Sequence, residues 1–391
     1  MGPTMRIAID LTSLLPQPTG VDNYLKQLVL NLSKIDHENQ YMILINYEDR
    51  NVFQGMLPRN FTAIALCLRP RPVRLLFQQI TLPVAAMGWN ADVVHSPSFI
   101  MPLYRGGQRH VVTIHDMTFF SLPQCHITLR RSSSYKRAVL WSIRRAHLVI
   151  APSQSTKQHI LDVIPDVAPD QIRVIPQGIG EEFRVYPEAV VRQELSRLRL
   201  PSPYILYVGT IEPRKNLQRL VESYRTLLTK DGLSEHLVLA GRLGWGYGEL
   251  MQQLDSPELR GRVHLLGYVA QSDLPWLYAG ARLFVYPSLQ EGFGFPPLEA
   301  MACGVPTISS LSSSLAENLQ GAAELVPPDD EDGLTAAMHQ LLYDDVRRAK
   351  YRQEGLARIA KFRWEQTAQD TLNCYRDVGC SEELPASHAR S

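Results

Sequence analysis

Two glutamates and two adjacent cations are the residues of this chain best placed to do chemistry. Glu291 and Glu299 stand in the run Tyr286-Pro287-Ser288-Leu289-Gln290-Glu291-Gly292-Phe293-Gly294-Phe295-Pro296-Pro297-Leu298-Glu299-Ala300-Met301-Ala302-Cys303-Gly304-Val305-Pro306. Residue types predict a strand ending at Tyr286, a tight turn at Gly292 and Gly294, and a helix opened by Pro296-Pro297 and stopped by Gly304 and Pro306. That places Glu291 in the loop and Glu299 in the first helical turn. Free N–H groups there favour an anion, and a carboxylate can accept two sugar hydroxyls at once. Either glutamate alone is equally well a helix-start residue stabilised by the dipole.

Glu212-Pro213-Arg214-Lys215-Asn216 follows another strand, 204–209. Cations held there would stabilise the negative charge that builds on a diphosphate leaving group; a solvated helix-start pair is the plain alternative. Gly20 follows the first strand and opens a helix, where backbone amides can approach a phosphate or sugar, although a turn glycine reads the same way. No G-x-G-x-x-G stands there, against a nicotinamide or flavin site. His115-Asp116 ends the strand Val-Val-Thr-Ile. A histidine at a sheet's carboxyl edge can bond a sugar hydroxyl, move a proton, or serve structure alone. Asp330-Glu331-Asp332 contains a D-x-D but sits in a polar loop after Pro327-Pro328 and is read as solvated. Five scattered cysteines and eleven scattered histidines show no ligand spacing, so no metal is expected.

These groups hang on two series of short apolar runs alternating with amphipathic stretches, the pattern of parallel α/β layers. The first series predicts strands at 6–11, 41–46, 92–95, 111–115, 148–151 and 172–175. The second predicts them at 204–209, 237–240, 263–266, 283–286, 307–309 and 323–326, and the glycine-bearing segment 176–183 between them reads as a hinge. A length of 391 residues also favours two domains, and 45% hydrophobic with 20% charged residues is ordinary for a folded chain. A net charge of +1 provides no global field to recruit nucleic acid. Residues 51–150 nevertheless hold 12 Lys+Arg against 2 Asp+Glu. Arg69, Arg71 and Arg74 lead into Leu75-Leu76-Phe77, and a second basic cluster surrounds Tyr135, Leu140 and Trp141; such mixtures can hold a surface on anionic lipid or simply face water. Few cysteines, no signal-like start and no long apolar run predict a reduced, cytoplasmic protein.

The Glu291–Glu299 run resembles the E-x7-E segment of the retaining family 4 glycosyltransferases. The resemblance covers nearly the whole chain, through Pro18-Thr19-Gly20-Val21-Asp22-Asn23-Tyr24, Thr113-Ile114-His115-Asp116, Val149-Ile150-Ala151-Pro152-Ser153, Tyr207-Val208-Gly209-Thr210-Ile211-Glu212-Pro213-Arg214-Lys215-Asn216 and Leu266-Gly267-Tyr268-Val269. Its closest likeness is to bacterial O-antigen-type mannosyltransferases. It implies a GT-B fold of two Rossmann-like, doubly wound domains facing a central cleft: an acceptor domain at 5–185, a donor domain at 186–364, and a helix at 365–383 that crosses back to the first. It also implies a nucleotide sugar donor, first choice GDP-mannose, and same-face transfer to a glycan or lipid-linked acceptor, without metal or other cofactor.

By resemblance Lys215, with Arg214, binds the diphosphate; Glu299 takes the ribose hydroxyls; Glu291 with Gly292, Phe293, Gly294 and Phe295 meets the sugar. Gly20, Gly209 and Thr210 line the donor, backbone near Tyr268 meets the base, and His115 lies near the reaction centre. Many relatives carry arginine where this chain has Thr210. A UDP-hexose donor, an epimerase or hydrolase on the same fold, and a non-catalytic scaffold are the alternatives. The expected location is cytoplasmic, at the inner face of a membrane.

Overall fold

The computed structural model describes residues 4–15, 19–68, 71–126 and 132–379, with the side chains of residues 71, 72 and 75 set aside. Pro18, Arg69, Arg130, Arg131, Cys380 and the 383–391 tail lie outside the described residues. The chain divides into two compact units. The first holds residues up to Met117, Ser132–Gly178 and the segment from Trp364; the second holds Thr118–Arg131 and Ile179–Arg363. The sequence reading parted them at 185/186. The parting is earlier because the Ile179 N–H bonds the Phe362 carbonyl (3.0 Å) and Ile179 and Phe183 enter the second unit's core.

In the first unit seven parallel strands lie in the order β3-β2-β1-β4-β5-β6-β7. These are β1 (Arg6–Asp10), β2 (Gln40–Asn46), β3 (Phe61–Leu66), β4 (Val93–Ser96), β5 (Arg109–Thr113), β6 (Leu148–Ala151) and β7 (Ile172–Val174). Helix α1 (Gly20–Ile35) joins β1 to β2, and α2 (Arg71–Gly88) joins β3 to β4. The central strands are buried on both faces and mostly apolar, as a parallel sheet covered by helices requires. β3 was missed in the sequence because three consecutive residues, Thr62, Ala63 and Ile64, are exposed on this edge strand and no buried run marks it.

The short helix α3 (Thr118–Ser121) follows β5; α4 (Ser133–Arg145) precedes β6 and α5 (Gln154–Val163) follows it. The second unit opens with α6 (Glu188–Leu198). Its six parallel strands lie in the order β10-β9-β8-β11-β12-β13: β8 (Tyr204–Val208), β9 (His236–Ala240), β10 (Val263–Gly267), β11 (Leu283–Tyr286), β12 (Thr307–Ser310) and β13 (Glu324–Val326). Helices α7 (Leu217–Asp231), α8 (Gly248–Leu254), α9 (Leu274–Ala279), α10 (Phe295–Ala302), α11 (Ser313–Leu319), α12 (Glu331–Tyr343) and α13 (Asp345–Ile359) complete it.

The final helix, α14 (Trp364–Gly379), packs in the first unit against α1. A buried polar chain ties it down. The Tyr375 hydroxyl lies 2.7 Å from His95 Nδ1, His95 Nε2 lies 2.9 Å from Thr113 Oγ1, and that hydroxyl meets Tyr24 (3.2 Å). Burial holds the His95 pKa down to about 3, so the ring bonds as a neutral imidazole.

Candidate active site

In the second unit the strand order reverses between β8 and β11, so the loops leaving those neighbours diverge at one point on the sheet's carboxyl edge. Such switch points are where open α/β sheets hold ligands. Two glycines let the backbones pass there. Gly209 after β8 adopts φ +153°, and Gly241 after β9 adopts φ +147°, where an added Cβ would run into the Gly209 carbonyl. Thr210 stands next, its carbonyl accepting from the Tyr207 hydroxyl (3.3 Å). The chain then turns through Pro213–Lys215, and Asn216 takes the left-handed conformation (φ +57°) with its amide on the carbonyls of Pro287 (3.1 Å) and Pro328 (2.9 Å).

That turn delivers Arg214 and Lys215 onto Glu291 from the loop after β11. Lys215 Nζ lies 2.6 Å from Glu291 Oε1, and Arg214 Nη1 lies 2.8 Å from Oε2. The Ser288 hydroxyl (2.5 Å) and the Tyr286 hydroxyl (3.0 Å) also donate to Oε1, while Tyr286 accepts from Lys215 (2.7 Å). Arg214 further holds Glu212 (2.8 Å) and the Gln290 carbonyl (2.7 Å). All four charged side chains are nearly buried. Burial opposes the charge on Glu291, but Arg214 and Lys215 overcome it and hold the carboxyl well below the usual range. Burial and Arg214 pull the Lys215 pKa down, while Glu291 and Glu212 hold it up. Two cations face two carboxylates, so the cluster is electrically balanced as it stands.

The glycine loop is fixed from one side by α11. Glu291 N–H donates to Ser313 Oγ (2.9 Å), Ser314 Oγ to the Glu291 carbonyl (2.9 Å), and Asn318 Nδ2 to the Phe293 carbonyl (2.8 Å). Gly292 is buried, and Gly294 adopts φ +92° against Leu315. Phe293 is buried in the core with its ring edge on Phe362 (5.8 Å) and on Phe295 (5.1 Å), so the chain offers a ligand its backbone here rather than its ring.

Glu299 lies apart from the cation cluster, and in the second turn of α10 rather than the first, because the helix begins at Phe295. Its Oε2 accepts from the Tyr278 hydroxyl (2.8 Å). Burial pushes its pKa up to about 7, with Glu182 adding to the rise and Tyr278 opposing it. Tyr268 follows β10 and is 43% exposed.

The segment 118–126, which follows His115-Asp116 in the chain, packs in this unit. Ser121 Oγ donates to Gln290 Oε1 (2.6 Å), and Trp245 Nε1 to the Cys125 carbonyl (3.1 Å). Sequence reasoning quoted Tyr286, Ser288 and Gln290 without giving them roles. It passed over Tyr278, Gly241 and the α11 residues Ser313, Ser314 and Asn318, which lie outside the quoted run and carry no motif.

In the first unit, Gly20 is the exposed first residue of α1. The Asp22 carboxylate takes the N–H groups of Leu15 (2.9 Å) and Thr19 (2.7 Å), closing the end of that helix. His115 is buried, its Nε2 2.8 Å from the Pro97 carbonyl and its Nδ1 3.4 Å from Gln177 Nε2. A carbonyl only accepts, so Nε2 carries the proton and Nδ1 accepts. Its ring packs edge-on to Tyr24 (5.0 Å) and Phe99 (5.6 Å). Asp330 of the D-x-D caps α12 by accepting from Gly333 N–H (2.8 Å). Among the described residues no three His, Cys, Asp or Glu side chains gather closely enough to hold a metal ion.

Two family models match the chain: "Glycosyltransferase Family 4" over residues 18–183 and "Glycosyl transferases group 1" over residues 193–358. The O-antigen chain mannosyltransferase B of Escherichia coli is 34% identical over 73% of this chain and 74% of its own. The serotype-specific mannosyltransferase WbdA of Escherichia coli is 28% identical over 93% of this chain, which spans 46% of that protein. Among solved structures, Anabaena HepE in complex with UDP and glucose aligns with a TM-score of 0.76, 18% identity, and 95% and 100% of the two chains covered. WaaG, a glycosyltransferase involved in lipopolysaccharide biosynthesis, aligns at 0.73 with 15% identity over 96% and 100%.

Proposed function

The chain belongs to the family 4 glycosyltransferases, with the GT-B fold, and from that premise we propose that it moves mannose from GDP-mannose to a hydroxyl of a glycan or lipid-linked acceptor, with retention and without a metal. The observation that carries the site assignment is the meeting of Arg214, Lys215 and Glu291 at the β8/β11 switch point. In this reading Lys215 and Arg214 take the diphosphate and stabilise the charge it gains as the glycosidic bond breaks. Glu299, ionised, accepts from the two ribose hydroxyls. Glu291 and the amides of 292–295 orient the hexose, and the backbone beside Tyr268 meets the base. The departing phosphate oxygen takes the acceptor's proton, so the neutral His115 has to bond or orient rather than deprotonate.

Mannose is favoured because the relatives named above are mannosyltransferases; a UDP-hexose is the second choice, and HepE's complex with UDP is the observation on its side. The protein works in the cytoplasm at the inner face of a membrane, where a lipid-linked acceptor is presented. No described helix is long and apolar enough to cross a membrane. The test is transfer from GDP-mannose, UDP-glucose and UDP-galactose to a synthetic mannosyl acceptor, with the anomeric configuration of the product read by NMR. A retained configuration and a GDP-mannose requirement support the proposal. Inversion, or free sugar alone, refutes the transfer mechanism.

A further inference from the structure

Helix α2 packs its inner face on the first unit's sheet through Phe77, Leu82 and Ala86, which meet Ala8, Met42, Leu44 and Val94. Its opposite side is not polar, as an outward helix face normally is. Val73, Leu76, Ile80 and Val84 recur at intervals of three and four and are 44–61% exposed. The loop after β4 extends this face. Leu103 and Tyr104 are about as exposed, and the Leu103 N–H donates to Gln79 Oε1 of α2 (2.8 Å). The same loop is tied to α4, since Met101 N–H donates to Ser142 Oγ (3.0 Å) and Arg105 Nη1 to the Arg145 carbonyl (3.1 Å). Helix, loop and the end of α4 therefore form one continuous surface within one unit.

Its rim is cationic. Arg74 stands on α2, and Arg105 and Arg145 are held together at the loop's far side; among the described residues none of the three forms an ion pair. The sequence from 51 to 91 contains no Asp or Glu at all. An aliphatic stripe edged by one sign of charge fits an anionic bilayer, which takes aliphatic side chains below its headgroups and arginine at them. The centre of the stripe is aliphatic, with Tyr104 at one end, whereas the buried centre of a protein interface is enriched in aromatic residues.

We propose that α2 and the 103–105 loop lie flat on an anionic membrane, with Leu76 and Ile80 inserted and Arg105 and Arg145 at the phosphates. This rests on the membrane-face reading above and gives it a surface. It also revises the sequence expectation, because Phe77 points into the core and the insertion residues are one turn apart along the other face.

The experiment is co-sedimentation of the full chain with vesicles of phosphatidylglycerol and phosphatidylcholine, against phosphatidylcholine alone. Intact protein is expected to bind the anionic vesicles and to be released by salt. Leu76→Glu with Ile80→Glu should weaken binding at least tenfold, and Arg105→Glu with Arg145→Glu by about fivefold for each arginine. An Ile80→Trp variant should be quenched by brominated phosphatidylglycerol beyond the wild-type level, a readout that does not depend on losing anything. Binding that survives Leu76→Glu/Ile80→Glu overturns the surface while leaving membrane association standing; no vesicle binding overturns both. A self-associating wild type made monomeric by the same pair of substitutions would assign the stripe to a second copy instead. Transfer from donor to a soluble acceptor should be unchanged in these variants, and its absence in the wild type would fault the transferase reading alone.

Discussion

Replacing Glu299 by glutamine should make the protein more stable and less able to hold its donor. The carboxyl is buried against Tyr278, and its pKa stands near 7 where an unburied glutamate would have 4.5. In the range between those values the unfolded chain has released a proton that the folded chain still holds. Stability contributed by the protonated form is therefore full below about pH 4.5 and lost as pH rises to about 7. A separation of about 2.5, at 1.36 kcal/mol for each, gives a cost of ~3 kcal/mol for keeping the folded carboxylate ionised at about pH 8. Glutamine is never ionised, occupies the same volume, and still accepts from the Tyr278 hydroxyl. Glu299→Gln should therefore melt roughly 6–12 °C higher than wild type at about pH 8, with the difference shrinking to below about a third of that at pH 5. The assay is thermal unfolding followed by circular dichroism at both pH values, with and without GDP-mannose. Equal melting differences at the two pH values would refute the electrostatic argument. If the variant gains stability yet keeps the donor's full stabilising effect, burial was read correctly and the ribose assignment is wrong.

Lys215→Met leaves Glu291 and Glu212 facing Arg214 alone, so urea unfolding should show a loss of about 3–5 kcal/mol and initial rates a fall in kcat/KM of at least about a hundredfold. Gly241→Ala puts a Cβ into the Gly209 carbonyl at a left-handed φ and should cost about 1–3 kcal/mol in the same urea measurement, with the donor KM raised because the Gly209–Thr210 backbone must shift. Transfer rates after exhaustive dialysis against EDTA should match those with added magnesium, and a rate restored only by the metal would end the metal-independent reading.

The sequence exposed this site only where its chemistry is local. Glu291, Gly292 and Gly294 share one loop, so residue types alone place a turn and a carboxylate together, and Pro296-Pro297 marks the helix that follows. Arg214 and Lys215 lie more than seventy residues away, and their contact with Glu291 follows from β8 and β11 being neighbours in the sheet. Strand order is a tertiary fact, and the GT-B resemblance supplied it where spacing did not. The supports of the loop were invisible for the same reason. Ser313, Ser314 and Asn318 are ordinary helix residues until α11 is laid beside Glu291. Glu299 shows the opposite failure: its helix was anticipated, though it starts early enough to put Glu299 in the second turn, and nothing in the sequence told that Tyr278 and the core would bury its carboxyl and raise its pKa.

Those two glutamates imply a common principle for the unliganded site. Around Glu291 the chain has cancelled its own charges, two cations against two carboxylates, so on the proposed assignment an incoming diphosphate must displace carboxylate from Lys215 and Arg214 before they can hold it. Around Glu299 it has left a carboxyl with no cation paired to it among the described residues, half neutral near pH 7. On the proposed assignment both arrangements cost something that a nucleotide sugar would remove: its hydroxyls would give Glu299 the hydrogen bonds that stabilise an ionised carboxylate, and its sugar would give Glu291 partners other than Lys215. The cost of freeing Lys215 is met when the donor binds and is carried equally by the bound ground state and the transition state. On the proposed assignment, what accelerates the reaction is the extra attraction Lys215 gains as negative charge develops on the departing phosphate, where a cation held in a buried site stabilises most. A lysine left unpaired in the free protein would bind the diphosphate and the transition state more tightly by the same amount, so the pairing with Glu291 weakens donor affinity and leaves the barrier from the bound complex unchanged.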